Sequence, residues 1–391
     1  MNDMSINIRD VLKKYFMVFA LIAVICIFQA TTGGKMLLPQ NVNNLISQNA
    51  YVFVLAAGML LCILTGGNID LAVGSVVCFV GGIGAVMMDN DLNMVFAVVA
   101  MLIGGLLVGA WQGFWIAYLK VPPFIATLAG MYAFRGLSNV VLQGYAVGIR
   151  NELFLFIFGG GADCYVPDLF GGQGYNLTCL VLGIVLVLVY IAFVIKGRAS
   201  AIKAGYDVGS FGPVVAKMII IGAAVIWFFD RLSRYKGIPT SLIWIGLVLL
   251  AYAYITSNTT MGRYLYAVGG NEKATQLSGV DPRKVYFFAY VNMGLMAGLA
   301  GILNTARLTQ AQPTFGQGYE MDAIAACFIG GASAYGGEGN IFGIVIGALL
   351  MGVINMGMSI MGVDANYQKV VKGLVVLAAI IFDVVSSKKK K

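Results

Sequence analysis

The feature that most constrains this chain is a succession of long apolar runs along almost its whole length. A helix needs about 20 apolar residues to cross a bilayer, and runs of roughly 17–25 residues recur here about twelve times. Because a backbone in lipid must satisfy its own hydrogen bonds, the runs predict an all-α polytopic bundle of about 12 (roughly 10–12) spans. The runs are 15–31, 45–65, 71–88, 94–119, 124–143, 176–195, 214–229, 238–257, 285–306, 319–332, 341–361 and 367–383.

Composition and missing residue types exclude several classes of protein. The chain is 60% hydrophobic and 11% charged, whereas soluble domains carry about 25% charged residues, so lipid must be its main solvent. It contains no histidine, the commonest general base and metal ligand, and its six cysteines lack metal-binding spacing. Gly34-Lys35 is followed by Met36, so there is no phosphate-binding loop. We expect no catalytic residues, no metal and no cofactor in this chain.

The distribution of lysine and arginine predicts the orientation of the bundle. An even number of spans places both termini on one side, together with Arg263, Lys273 and the terminal Lys388–Lys391. We expect that side to be the cytoplasm. The net charge of +8 then follows from topology and does not require a nucleic-acid partner. The stretch 230–236, DRLSRYK, contradicts this assignment, so either the run 214–229 is re-entrant or the rule fails there.

A polar segment at 261–284, MGRYLYAVGGNEKATQLSGVDPRK, interrupts the apolar runs. The orientation places it in the cytoplasm, beside the basic termini. A membrane protein that keeps one long, mildly amphipathic segment outside the bilayer is expected to present it to a partner. This segment therefore bears more directly on function than the apolar runs do.

Few carboxylates stand near the predicted spans. Asn68 and Asp70 follow two glycines and begin an apolar run, where a carboxylate is favoured by the helix dipole. Asp70 either caps that helix or lies on a transport pathway. Glu320 and Asp322 begin the tenth run after a polar loop that contains Gln312, and they either cap a helix or line a polar entrance. That run is short and rich in glycine, which predicts a half-length helix.

Two further signals concern charge and packing inside the bundle. Arg135 falls in the middle of the fifth run, where an unpaired charge costs at least a few kcal/mol, so it must face protein, water or a partner acid. A structural ion pair and a transport role are both open. Glycines four residues apart predict close helix packing, and GGNIDL at 66–71 resembles GEGNIF at 337–342. The glycine pairs are Gly105 and Gly109, Gly294 and Gly298, and Gly343 and Gly347.

Four blocks of sequence resemble the membrane-spanning permeases of bacterial ABC importers of the ribose, xylose and galactose class. They are TGGNIDLAVGS at 65–75, GRYLYAVGGNEKATQLSGVDPRKV at 262–285, ARLTQAQPTFGQGYEMDAIAACFIGGAS at 306–333, and YQKVVKGLVVLAAIIFDV at 367–384. In order and spacing they cover most of the chain beyond residue 45. The chain departs from shorter ribose-type members by an additional apolar pair at 176–229. In this it is similar to xylose-type or multiple-monosaccharide permeases.

The resemblance implies a single permease domain, 1–391, in the bacterial inner membrane, which translocates a monosaccharide: xylose, or mixed pentoses and hexoses. It also implies a second permease copy, cytoplasmic ABC ATPase subunits that bind ATP and Mg, and an extracytoplasmic sugar-binding protein. The segment 261–284 resembles the loop that couples to the ATPase, with 271–276 as a short helix and two glycines allowing the turn into it. The implied coupling residues are Gly269, Gly270, Asn271, Glu272, Ala274, Gln276 and Gly279. The candidate pathway or gate residues are Asn68, Asp70, Gln312, Glu320 and Asp322.

A secondary sugar transporter driven by ions is the main alternative. It would also be polytopic, rich in glycine and built with broken helices. Such a carrier normally has coupling carboxylates deep within several spans, whereas the acids here stand mainly near the ends of the runs. A channel or a membrane-embedded scaffold comes third. An adjacent gene with duplicated ATPase motifs would favour the importer over the ion-driven carrier, and co-purification with an ATPase in detergent would argue against both alternatives.

Overall fold

The structure is a computed structural model that describes residues 8–206 and 208–388, so Lys389–Lys391 of the charge argument lie outside it. The described chain is almost entirely helical, which confirms the predicted all-α class. Its helices are α1 Ile8–Thr31, α2 Pro39–Leu64, α3 Val73–Asp89, α4 Met94–Ala117, α5 Pro123–Leu142, α6 Glu152–Phe158, α7 Leu177–Lys203, α8 Gly212–Ser233, α9 Thr240–Asn258, α10 Thr260–Gly270, α11 Glu272–Leu277, α12 Pro282–Leu308, α13 Tyr319–Ile329, α14 Ile341–Ile360 and α15 Ala365–Lys388. Two short strands, β1 Val147–Gly148 and β2 Gln310–Ala311, pair antiparallel.

Eight of the described helices are long and apolar enough to cross a membrane: α2, α4, α5, α7, α8, α9, α12 and α14. The chain is thus a multi-pass membrane protein. Every predicted apolar run contains a helix, but the count of twelve spans stays a prediction. Helix α13 has 11 residues, about 16 Å of helix against a hydrocarbon core of about 30 Å. The expected half-length helix is confirmed there.

The chain divides into two compact units. The first unit consists of three pieces of chain: the residues before and including Met36, the stretch Leu45–Cys164, and the residues from Ser241 onward. The second contains Leu37–Asn44 and Tyr165–Thr240. The apolar pair predicted at 176–229 corresponds to α7 and α8 of this second unit.

Glycine packing holds the centre of the first unit together. A Cβ atom added to Gly105 would stand 3.0 Å from the Cα of Gly298, and one added to Gly109 would stand 2.9 Å from the Cα of Gly294. Helices α4 and α12 therefore touch backbone to backbone, as small-residue spacing allows. Gly343 and Gly347 of α14 approach the backbone of α13 in the same way. The predicted role of all three glycine pairs is confirmed.

The second unit is built on the antiparallel pair α7 and α8. The Cys179 thiol donates to the Phe229 carbonyl at 3.4 Å, and a Cβ on Gly183 would stand 2.7 Å from the Cβ of Phe229. The connection before α7 is organised by one carboxylate. Asp168 accepts hydrogen bonds from four backbone amides, which stand between residues 170 and 178, and from the Thr178 hydroxyl.

Candidate functional site

The polar segment predicted at 261–284 is folded as two short helices rather than a loop. The Thr259 hydroxyl accepts a hydrogen bond from the Gly262 amide at 3.0 Å and begins α10. The chain then breaks at Asn271, which is extended at φ −160° and ψ 99°. Its side-chain oxygen accepts from the Ala274 amide at 3.0 Å, so Asn271 caps the six-residue helix α11. The helix expected at 271–276 is present at 272–277.

The two glycines of this segment play a different part from the one expected. Gly269 and Gly270 are the last residues of α10, and the turn between the helices is made by Asn271. A Cβ on Gly269 would overlap the Leu64 carbonyl oxygen and stand 2.5 Å from the Gly337 nitrogen. A Cβ on Gly270 would meet no atom within 4 Å. The expectation that both glycines serve the turn is wrong, because both lie within α10 and the chain turns at Asn271. Gly269 instead makes a close backbone contact.

Gly269 belongs to a cluster that we call the glycine junction: Gly66, Gly67, Gly269, Gly336 and Gly337. The Gly337 amide donates to the Leu64 carbonyl at 3.0 Å. A side chain on Gly67 would overlap the Ala334 carbonyl, and one on Gly336 would overlap the backbone of Gly66. Both residues also have positive φ angles, 75° and 82°, which suit glycine. Three separate stretches of chain thus meet through main-chain atoms.

The glycine junction joins the two segments whose sequences echo each other, GGNIDL and GEGNIF. The first leads from α2 into α3, and the second leads into α14, whose first turn is capped by Asn340 through the Gly343 amide at 2.7 Å. The Tyr266 hydroxyl of α10 donates to the Gly339 carbonyl at 2.8 Å and ties α10 to the second segment. Helix α10 is consequently fixed to both segments that enter the bundle.

Helix α11 presents an exposed face. Thr275 is buried, and its hydroxyl donates to the Asn271 carbonyl at 2.8 Å. On the other side Lys273 and Gln276 are exposed, and Leu277 is 89% exposed. An apolar side chain this exposed is available for contact with a partner protein. The sequence analysis did not identify Leu277, because a single apolar residue in a polar segment forms no periodic pattern.

A cavity of about 340 Å³ opens beside α11. Its lining includes Asn68, Lys120, Glu272, Arg283 and Tyr286. The Tyr286 hydroxyl donates to a Glu272 carboxylate oxygen at 3.0 Å, which links α12 to the start of α11. The structure therefore brings one candidate pathway residue, Asn68, to the same cavity as a candidate coupling residue, Glu272.

A second polar cluster lies at the start of α13. Asp322 is fully buried, and its Oδ2 accepts from the Tyr51 hydroxyl at 2.6 Å and from the Lys372 ammonium at 2.9 Å. Tyr51 stacks on Tyr319 with 3.7 Å between ring centroids, and the Tyr319 hydroxyl donates to Asn304 at 2.7 Å. Among the described residues, Asp322 Oδ1 has no hydrogen-bond partner. If the predicted tenth and twelfth runs span the membrane, a buried ion pair of this kind is a candidate functional site.

The other pathway candidates lie around the entry to α3 and α13. Asp70 is 2% exposed, and its carboxylate accepts from the Ala72 amide at 2.8 Å in the turn before α3. Glu320 stands close to that helix, because a Cβ on Gly74 would be 2.6 Å from its Oε2. The backbone of Gln312 accepts from the Cys78 thiol at 3.4 Å. Asp70, Glu320 and Gln312 are thus gathered near α3, while their transport role stays a prediction.

Arg135 binds the loop before α13. Its guanidinium donates to the carbonyls of Phe315 at 2.5 Å and Pro313 at 3.2 Å. Neither salt bridge within the described residues includes it, since these are Asp230–Arg234 and Asp322–Lys372. Two carbonyl oxygens therefore hold the guanidinium directly, and the Glu320 carboxylate interacts with it electrostatically. In the described part of the chain no group of three or more His, Cys, Asp or Glu is placed to hold a metal.

Comparison with known proteins assigns the chain to a family. The family described as branched-chain amino acid transport system / permease component matches residues 41–380. The chain belongs to this permease family. It is 35% identical to the xylose transport system permease protein XylH of Escherichia coli (strain K12), over 95% of this chain and 92% of that protein.

Two further relatives are similar to this permease over most of its length. The XylH protein of Haemophilus influenzae is 33% identical, over 97% of this chain and 98% of its own length. The ribose import permease protein RbsC of Escherichia coli (strain K12) is 35% identical, over 95% of this chain and 92% of that protein. No solved structure matches the chain. The family resemblance inferred from the four sequence blocks is confirmed.

Proposed function

We propose that this permease is the membrane subunit of an ATP-driven ABC importer that carries a monosaccharide, xylose or mixed pentoses and hexoses, across the bacterial inner membrane. Family membership and the names of the xylose and ribose relatives support the transport class and the sugar. Separate cytoplasmic ATPase subunits bind ATP and Mg, and an extracytoplasmic sugar-binding protein delivers the substrate. Both termini face the cytoplasm, a second permease copy completes the path, and the bundle has 10–12 spans.

The observation that carries the proposal is the attachment of α11 to the glycine junction. Helix α11 exposes Leu277 to solvent, while α10 before it contacts Leu64 and Gly337 through Gly269. A force applied to α11 passes through these backbone contacts to the segments that lead into α3 and α14. Rigid elements with short contacts transmit such motion as a rocking of bundles. In this mechanism the ATPase binds α11, and its closure alternates access to the sugar path.

A pair of adjacent glycines provides the sharpest test of this coupling. In the complex reconstituted with its ATPase and binding protein, Gly269→Ala is expected to abolish most sugar-stimulated ATP hydrolysis, because the added methyl group overlaps the Leu64 carbonyl. Gly270→Ala is the matched control, since its Cβ meets open space. Replacing Asn271 or Gly270 with a bulky residue such as tryptophan should also abolish stimulation by blocking the docked face. Equal coupling in the Gly269 and Gly270 alanine variants would contradict the assignment.

The variant Leu277→Ser tests the binding of the ATPase to α11 separately from the transmission of its motion to the bundle. The change leaves the glycine junction intact and removes an exposed apolar side chain. We expect weaker binding of the ATPase by the purified permease, measured by co-purification in detergent. Gly269→Ala should bind the ATPase normally but fail to couple it. If both variants bind and couple like the parent protein, α11 is not the docking helix.

The buried carboxylate of Asp322 keeps an ion-driven sugar carrier as the second candidate. Asp322 is the type of intramembrane acid that such a carrier would use, although Lys372 neutralises it here. Sugar uptake into vesicles decides between the two functions. The importer requires the ATPase subunit, with ATP on the side of the vesicle membrane that corresponds to the cytoplasm. Its uptake of sugar is insensitive to the collapse of ion gradients. Uptake by the permease alone under an ion gradient would favour the carrier.

A further inference from the structure

Helices α7 and α8 carry a concentration of positive charge at one end. Between Asp168 and Asp230 the sequence contains four basic residues and a single acidic one, Asp207. The basic residues are Lys196, Arg198, Lys203 and Lys217. All stand at the ends of α7 and α8 that the loop 204–211 connects. The two helix ends therefore carry four positive charges against the one negative charge that the sequence places in the loop between them.

The height of these lysines matches the edge of a bilayer. The uncharged stretch of α7 runs from Leu177 to Ile195, about 28 Å of helix against a hydrocarbon core of about 30 Å. Lys196 follows it directly. Gly222 of α8 packs against Val187 of α7. Because the two helices are antiparallel, Lys217, five residues before Gly222, lies at about the same height as Ala192, five residues after Val187. Lys217 thus stands about one helical turn below Lys196, within reach of the same headgroup layer by snorkelling.

The exposed side of α7 combines charge with apolar surface. Lys196 and Lys203 are seven residues apart, which places them on one face of the helix, about 10 Å apart along its axis. Both lysines are exposed. Ile195 and Ile202 are exposed beside them, and Tyr206 is 72% exposed in the following loop. Cations next to apolar and aromatic side chains are the surroundings that a phospholipid headgroup and its upper acyl chain require.

Arg198 fixes the loop that closes this end. Its guanidinium donates to the carbonyls of Val208 at 2.9 Å and Gly209 at 2.6 Å, and it lies 5.2 Å from the centre of the Phe211 ring. The three lysines remain available, because neither salt bridge of the described residues includes them. The loop is therefore held in place by the arginine, while the lysines face outward.

We propose that Lys196, Lys203 and Lys217 form a binding site for an anionic phospholipid. The site takes a phosphodiester headgroup between the lysines and the first acyl carbons against Ile195 and Ile202. Helices α7 and α8 are embedded in lipid, since only 17% of the apolar stretch of each is buried within the protein. Lipid molecules are therefore always present next to this surface.

The test uses the full-length permease in a zwitterionic detergent with a fluorescent phosphatidylglycerol. Removing each lysine is expected to weaken binding roughly fivefold, so K196Q/K203Q/K217Q should weaken it about a hundredfold. K196R/K203R/K217R should retain binding. The control K35Q/R234Q/K236Q removes the same number of positive charges elsewhere and should change binding less than twofold. Size-exclusion profiles and melting temperatures establish that all variants are folded.

Several outcomes would overturn the lipid site. Equal weakening in the two glutamine variants would mean general charge attraction, and unchanged binding in K196Q/K203Q/K217Q would place the lipid elsewhere. Displacement of the lipid by equimolar glycerol phosphate would indicate an anion site without acyl contacts. Loss of ATPase binding in lipid-free detergent by the same variant would assign the lysines to a protein interface. A hundredfold loss confined to the lysine variant, with normal ATPase binding, supports the proposal.

Discussion

Helices α7 and α12 have the same length, 27 residues each, and both are apolar enough to span a membrane, yet they are used in opposite ways. The apolar stretch of α12 is 67% buried within the protein, and that of α7 is 17% buried. Helix α12 places Gly294 and Gly298 against α4, whereas α7 exposes Leu188 and Phe193. In a bilayer a helix that faces lipid must be uniformly apolar, while a helix in the protein interior needs small residues.

The largest expected effect concerns a buried ion pair in the protein interior, between α13 and α15. Lys372→Ala should lower the free energy of unfolding by about 3–5 kcal/mol, because it leaves the Asp322 carboxylate buried without its cation. Lys369→Ala, an exposed position on the same helix, is the control. Thermal or steric-trap unfolding in detergent measures both. If D322L/K372M recovers the stability, the loss came from the unpaired charge and not from missing packing.

A matched pair of glycines tests the comparison itself. Gly294→Leu on α12 forces a side chain into the α4 backbone and should cost about 1–3 kcal/mol or more. Gly197→Leu on α7 meets no atom within 4 Å and should be neutral or slightly stabilising, since leucine favours a helix more than glycine does. Melting curves of the two variants side by side give the answer. Similar losses at both positions would mean that α7 is packed against protein.

The smallest expected effect concerns the connection before α7 in the second unit. The amide of Gly172, followed by those of Leu177, Thr178 and Phe170, lowers the pKa of Asp168 below its usual range by hydrogen bonding. Because the pKa is lowered in the folded state, the stabilisation is present above about pH 4, the ordinary range of aspartate, and is lost as the pH falls through the folded pKa.

The measurement for this connection is amide hydrogen exchange at residues 170–178 in the parent protein and in Asp168→Asn. Faster exchange in the variant is expected at pH 7, and the difference should shrink towards pH 3. A difference that stays constant across this range would mean that the charge of Asp168 does not stabilise the turn. The α4 and α12 contact contains no such carboxylate bridge, so its glycine packing should be insensitive to the same change in pH.

Much of the fold could be predicted from sequence because its signals are local. Each apolar run contains a helix, the half-length helix α13 is where the short run predicted it, and the glycine pairs at 105 and 109 face their counterparts at 294 and 298. Spacing along one helix shows which positions permit close approach. The cap by Asn271 is also a local property, because a side chain next to the backbone it binds can be recognised from sequence alone.

The parts that could not be predicted depend on which distant segments touch. Asp322 and Lys372 are separated by 50 residues, and nothing in either segment indicates that α13 and α15 meet. The role of Gly269 depends on Leu64 and Gly337 in the same way, so a glycine pair that suggested a turn is instead divided between one packed and one open position. Leu277 was overlooked because a single apolar residue in a polar stretch carries little periodic signal.

The glycine junction has a consequence for how such permeases diversify. The contacts across the junction are made by main-chain atoms, which every residue has. The junction is therefore preserved as long as glycine is kept at a few positions. The outward residues of α11 are then free to change without disturbing what lies beneath. Exchanging Lys273, Gln276 and Leu277 for those of a paralogue, while Gly269 is retained, should transfer partner choice and leave the cargo unchanged. In the proposed mechanism, the residues that select the partner and those that select the cargo are therefore different and can change independently.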